Sequence, residues 1–160
     1  MNKDSISIIV MVIISIVLSY YFTMTLILRS NFTHQRNKLY QSLLMGAWMG
    51  FIMILLMFYS QGMVMTEYIP IMITLIIIIV VLSYSIRQQK TIDQDQFMLG
   101  MIEHHQMAIE MAKLVKPKVT EPRLKTLVKN IISSQSGEIS DMYSILKSRG
   151  VRNKLVSNLL

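Results

Sequence analysis

A run of 24 residues, Ser5 to Leu28, carries no charged side chain. Its only polar interruptions are Ser, Thr and Tyr hydroxyls; those of Ser and Thr can bond back to the helix's own carbonyls. At about 1.5 Å of rise per residue such a run crosses about 30 Å of hydrocarbon. It is too long for the apolar core of a signal peptide, and no small-residue cleavage site follows it, so the segment reads as retained. Two further apolar runs follow, Leu43 to about Met65 and Pro70 to Ile86. In lipid the backbone must satisfy its own hydrogen bonds, so these runs are expected to be helices. The sequence therefore predicts an all-α chain that starts with a membrane anchor, residues 1–86, with spans at about 5–28, 43–65 and 70–86.

Charge decides the expected orientation. The first loop carries Arg29, Arg36 and Lys38 without an acid, and Arg87 and Lys90 follow the third span, while the second loop holds only Glu67. The positive-inside rule then puts the N-terminus outside and the C-terminal domain in the cytoplasm, the alternative being extracytoplasmic. The net charge of +7 lies near span ends and around one later turn, which suggests lipid headgroups rather than nucleic acid. With no cysteine there is neither a disulfide nor a thiolate metal site. No P-loop, dinucleotide fingerprint or nucleophile elbow is present, so an enzyme is not expected.

Residues 87–94 form a polar connector. Asp93 or Asp95 can cap a helix running to about Val115. Pro117 and Pro122 bracket a basic turn, and a second helix runs from about Pro122 to Ser148, stopped by Gly150. Residues 95–150 are thus an antiparallel helical hairpin, and 151–160 a tail.

The first hairpin helix holds two of the three histidines and four of the fifteen methionines within Phe97 to Ala112. At about 100° per residue, Phe97, Met101, His104, Ala108, Met111 and Val115 share one face, flanked by Met107, His105 and Met98. Glu103 is expected to point away. On the second helix Leu124, Val128, Ile131, Gln135, Ile139, Met142 and Leu146 form a stripe, with Glu138 at its edge. Antiparallel pairing places His104 level with Gln135, and Met98 and Met101 level with Glu138 and Met142. Buried unpaired, Gln135 and Glu138 would cost several kcal/mol. Core packing around a hydrogen-bonded imidazole explains part of this pattern. Thioether and imidazole donors without thiolate otherwise suit copper(I) or silver(I).

Phe97, Met101, His104, His105, Ala108, Ile109, Met111 and Ala112, with Ile132, Gln135, Glu138, Ile139 and Met142, resemble the motif of domain-of-unknown-function family 305. The resemblance covers about Asp93 to Gly150. It implies a ferritin-like helical domain with some copper-binding members. It nominates Met101, His104, His105, Met107, Met111 and Met142 as metal ligands, and Gln135 and Glu138 as partners that orient them. Two departures stand out: Glu103 replaces a proline frequent before the histidine pair, and one motif copy is present.

Both hairpin helices have apolar faces wider than one partner covers, so two hairpins are expected to pair into a four-helix bundle, making a homodimer or higher oligomer. The expected function is a multi-pass membrane protein that binds copper or silver for sequestration, delivery or tolerance. The alternatives are a metal-free oligomerising module, or a channel lined by the second span. There Met45, Met49, Met53 and Met57 recur every fourth residue, similar to the Met-x-x-x-Met feature of copper-uptake channels. Gly46 and Gly50 beside them form a small-xxx-small surface.

Overall fold

A computed structural model describes residues 3–22, 33–61 and 65–151 of the chain. Among these residues the structure is all-helical, with α1 Lys3–Phe22, α2 Arg36–Gln61, α3 Ile69–Gln88, α4 Gln94–Val115 and α5 Pro122–Ser148. Short 3₁₀ turns at Met65–Glu67 and Lys116–Lys118 precede α3 and follow α4. The chain divides into two compact units. One holds α1 to α3. The other holds α4, α5 and, of the residues before α2, 33–35.

In the first unit α2 packs against both α1 and α3. Ile16 lies beside Gly46 and Val12 beside Gly50, so α1 and α2 run antiparallel. A Cβ on Gly46 would stand 2.4 Å from Ile16 Cγ1, and one on Gly50 would stand 2.9 Å from Val12 Cγ2. The two glycines thus let α1 approach closely, the use expected of a small-xxx-small surface. Ile8, Ile54, Met57 and Tyr68 form the buried cluster, with Val12, Met53, Met72 and Leu75 at its margin. Outside it, the apolar residues of α3 are nearly all exposed, with Ile79 the buried exception. Arg36 Nη1 donates to Thr91 O at 2.9 Å, and Tyr40 pairs with the Thr91 hydroxyl at 2.8 Å.

The expected count of three spans is corrected here. Among the described residues two helices are long and apolar enough to cross a membrane, Arg36–Tyr59 and Ile69–Gln88. The first run gives a shorter apolar helix, Ile6–Tyr21, and its expected residues 23–28 lie outside those described. The second helix starts well before Leu43. Nothing between Arg36 and Leu43 breaks a helix, and Lys38 is buried with its ammonium 5.8 Å from the centre of the Tyr20 ring. A cation can be held this way over an aromatic face.

In the second unit α4 and α5 form the antiparallel hairpin. Its boundaries follow local chemistry. Asp93 caps α4 by accepting from Gln96 N at 2.8 Å. Glu121 caps α5, its carboxylate accepting from Arg123 N at 2.9 Å and from Leu124 N, with Pro122 in the first turn. Gly150, at φ +69, ends the hairpin, and Val151 N then reaches Leu146 O at 3.1 Å. That left-handed step favours glycine. One end of the hairpin is closed by Ala112, Val119 and Val128. The other is closed by Met98, Leu99, Ile102 and Leu146, with Ile139, Met142 and Tyr143 packed on them.

Candidate functional site

The hairpin interior is set by which face of α4 turns inward, and it differs from the face expected. The buried residues are Met98, Leu99, Ile102, Glu103, His105, Ile109 and Ala112. Phe97 is 56% exposed and Met111 53%, and His104 and Val115 are exposed with them. The stripe through His104 therefore looks outward, and the flanking residues Met98 and His105 look inward. The physical reason is that α4 is apolar on two sides. A rival stripe, Met98, Ile102, His105, Ile109 and Ala112, has no interruption other than the imidazole and takes the contact with α5.

Neighbours on a helix differ by about 100°, so His104 and His105 cannot face the same way. His105 lies between the helices, its Nε2 at 2.5 Å from Glu138 Oε2. Ser134 Oγ donates to the other oxygen, Oε1, at 2.8 Å. These two hydrogen bonds, that of His105 foremost, hold the Glu138 carboxyl below its ordinary range. One turn before Glu138, the Oε1 atom of Gln135 is buried without a hydrogen-bond partner. Met142 is half-buried against the Met98 and Ile102 cluster.

The residues nominated from the sequence therefore fall into two sets. His105, Met142, Gln135 and Glu138 belong to the inner side or its edge. Met101 and Met107 are half-buried, and with exposed His104 and Met111 they belong to the outer side of α4. Residues three or four apart on a helix are about 5–6 Å apart at Cβ. Met101 with His104, His104 with Met107, and Met107 with Met111 are such pairs. Among the described residues no group of three His, Cys, Asp or Glu side chains is placed to share an ion.

Sequence reasoning missed Glu103, which is fully buried rather than turned to solvent. Gln35 Nε2 donates to its Oε2 at 3.0 Å, and Thr33 N donates to Oε1. Thr33 Oγ1 donates in turn to Leu99 O at 3.2 Å. A buried carboxylate persists only with such donors. Gly100 makes room for them, since a Cβ there would lie 2.5 Å from Gln35 Oε1. A signal was present: glutamate where the family pattern has proline, one turn after a glycine.

In the second span the four methionines do not share surroundings. Met57 is buried in the α1 to α3 cluster, Met49 and Met53 are half-buried, and Met45 is exposed.

Residues 89–157, which include the hairpin with its His105–Glu138 bond, match the family described as Domain of unknown function (DUF305), and the chain belongs to that family through this part. Along nearly its whole length it is also similar to "Uncharacterized protein L153" of Acanthamoeba polyphaga mimivirus. The two are 43% identical over 150 residues, 92% of this chain and 96% of that protein. The shared length includes the apolar helices as well as the hairpin. No solved structure matches the chain.

Proposed function

We propose that this chain is a multi-pass membrane protein whose hairpin binds copper(I) or silver(I) for sequestration, delivery or tolerance, without turning over a substrate. The observation that carries the reading is the short His105–Glu138 bond, set beside an imidazole and three thioethers on the outer face of the same helix. Carboxylates beside metal-binding histidines act in this way, fixing the ring and its tautomer. With Nε2 on Glu138, Nδ1 is the ring nitrogen left for a soft cation. Met101, His104, Met107 and Met111 form the outer set and His105 and Met142 the inner one, with Gln135 offering an unpaired amide oxygen. Thioether and imidazole donors without a thiolate suit copper(I) or silver(I).

The anchor in this reading is made by the apolar helices of the first unit, with the hairpin on the cytoplasmic side. Phe97, Met111 and Ile145 are large apolar side chains left exposed. Pairing two hairpins over them would give a ferritin-like four-helix bundle. The test is titration of the purified full chain with copper(I) under reducing conditions, against a competing chelator. Binding tighter than micromolar, lost when His104→Ala and His105→Ala are combined, is expected. Weaker binding, or equal binding by the double variant, overturns the reading.

The same exposed face favours a second reading, a metal-free module in which the His105–Glu138 bond fixes helix register. It predicts that Met101→Leu and Met111→Leu leave the oligomeric state intact, since volume is nearly conserved. A channel lined by the second span has less support, because Met57 is enclosed by its own unit while Met45 is not.

A further inference from the structure

The turn between α4 and α5 combines two features that a soluble surface seldom combines. From Lys113 to Lys129 there are six cations, Lys113, Lys116, Lys118, Arg123, Lys125 and Lys129, against the single acid Glu121. These few residues account for five of the chain's seven net positive charges. Glu121 is turned back onto α5, where its carboxylate caps Arg123 N and Leu124 N. Lys113 is paired with Glu110 at 2.9 Å. The other five cations are exposed, and no ion pair among the described residues involves them.

Interleaved with these cations are large apolar side chains left in the open. Leu114 is 61% exposed and Leu127 53%, and Val115 and Leu124 are exposed beside them. At this end the hairpin has spent its contact residues on a small closure, Ala112, Val119 and Val128, and the leucines have no partner in it.

We infer that the hairpin tip, Leu114 and Leu127 within a collar of Lys116, Lys118, Arg123, Lys125 and Lys129, docks on the surface of an anionic bilayer. The charge complementarity is with phosphate- and carboxylate-bearing headgroups, and the leucines supply short apolar wedges that reach the acyl boundary. Nucleic acid would satisfy the cations alone. It gives the exposed leucines nothing to enter, and the tip offers no aromatic ring on which a base could stack. The inference stands apart from the metal reading, since it uses none of the proposed ligands.

The test uses the full chain in nanodiscs of phosphatidylcholine, so that its own lipid is neutral. Vesicles of equal parts phosphatidylcholine and phosphatidylserine, or of phosphatidylcholine alone, are added, and disc capture is measured by vesicle sedimentation. Capture by the phosphatidylserine vesicles only is expected, and it should be lost at about 1 M salt, where the screening length is about 3 Å. Combining Lys116→Gln, Lys118→Gln and Lys125→Gln should weaken it on the order of 100-fold, at about one factor of five per cation removed. Combining Leu114→Ser and Leu127→Ser should weaken it on the order of 10-fold or more without changing its salt dependence. Far-UV circular dichroism checks that each variant folds, and Arg123→Gln alone, with an expected loss of about fivefold, replaces the triple variant if it does not. Equal capture by both vesicle types overturns the inference. So does capture untouched by the charge substitutions, or binding to a single-stranded RNA oligonucleotide with none to phosphatidylserine vesicles.

Discussion

Both units bury large apolar side chains, but they differ in how their helices approach and in what they leave exposed. In α1 to α3, close contact is made by Gly46, Ala47 and Gly50, and Lys38 and Ser42 are buried, while Ile13, Leu56, Ile77 and Val80 are exposed. In the α4–α5 hairpin the interior is Leu, Ile and Met; Glu103 and His105 are buried there and each bonds a named partner, while Gln135 Oε1 has none. Two helices of the first unit are long and apolar enough to cross a membrane, so its exposed side chains would suit an apolar surrounding. An exposed isoleucine on α3 and an exposed leucine on α4 therefore mean different things. The first is a solvent-matched surface if the solvent is lipid, and the second is a patch waiting to be covered.

The largest effect that could break this contrast is a charge placed on each exposed surface. Ile77→Lys, near the middle of α3, should cost about 3 kcal/mol in a membrane-insertion assay. Leu114→Gln, at a position of similar exposure on α4, should change thermal stability by less than about 0.5 kcal/mol. Similar costs at both positions would end the distinction. Next comes the buried carboxylate of the hairpin. Glu103→Leu leaves Thr33 N and Gln35 Nε2 without an acceptor, and it should lower stability by about 2–3 kcal/mol in denaturant titration. A smaller effect belongs to the small-residue contact of the first unit. Gly46→Leu overpacks the approach of Ile16 and should destabilise α1 against α2 by about 2 kcal/mol, read as earlier exchange of α1 amides.

The smallest effect sharpens the comparison through pH. Glu138 is held below its ordinary value of 4.5, so the protein binds fewer protons folded than unfolded there. The stabilisation is fully present above that ordinary value and is lost as pH falls through the lower folded one. The hairpin's melting temperature should drop across that acidic window, and Glu138→Gln should flatten the drop.

Much of the fold was written locally in the chain. Asp93, Pro122 and Gly150 each act within a few residues, so the ends of α4 and α5 lie where capping chemistry puts them. The pairing of the hairpin was also legible, because the polar groups of α5, Gln135 and Glu138, had to meet something polar on α4. Which face of α4 did the meeting was not. Periodicity finds an apolar stripe but does not rank two stripes on one helix, and the stripe through His104 competed with the stripe through His105. The inward turn of Glu103 was hidden for another reason: its donors lie about seventy positions earlier, at Thr33 and Gln35. The start of α2 was missed because hydropathy marks where lipid contact begins, whereas the helix continues through Arg36 and Lys38 until something stops it.

The donors to Glu103 have a practical consequence for dissecting the molecule. The residues that match the family begin at 89, and a fragment cut there would seem to contain the whole hairpin. It would lack Thr33 and Gln35, leaving a naked carboxylate set in an oily wall and an empty slot above Gly100. Such a fragment has reason to clump or to loosen its first helix, whatever the quality of the excised sequence. An excised version built with a short tethered copy of residues 33–35, or with Glu103 exchanged for a neutral side chain, is the better starting material.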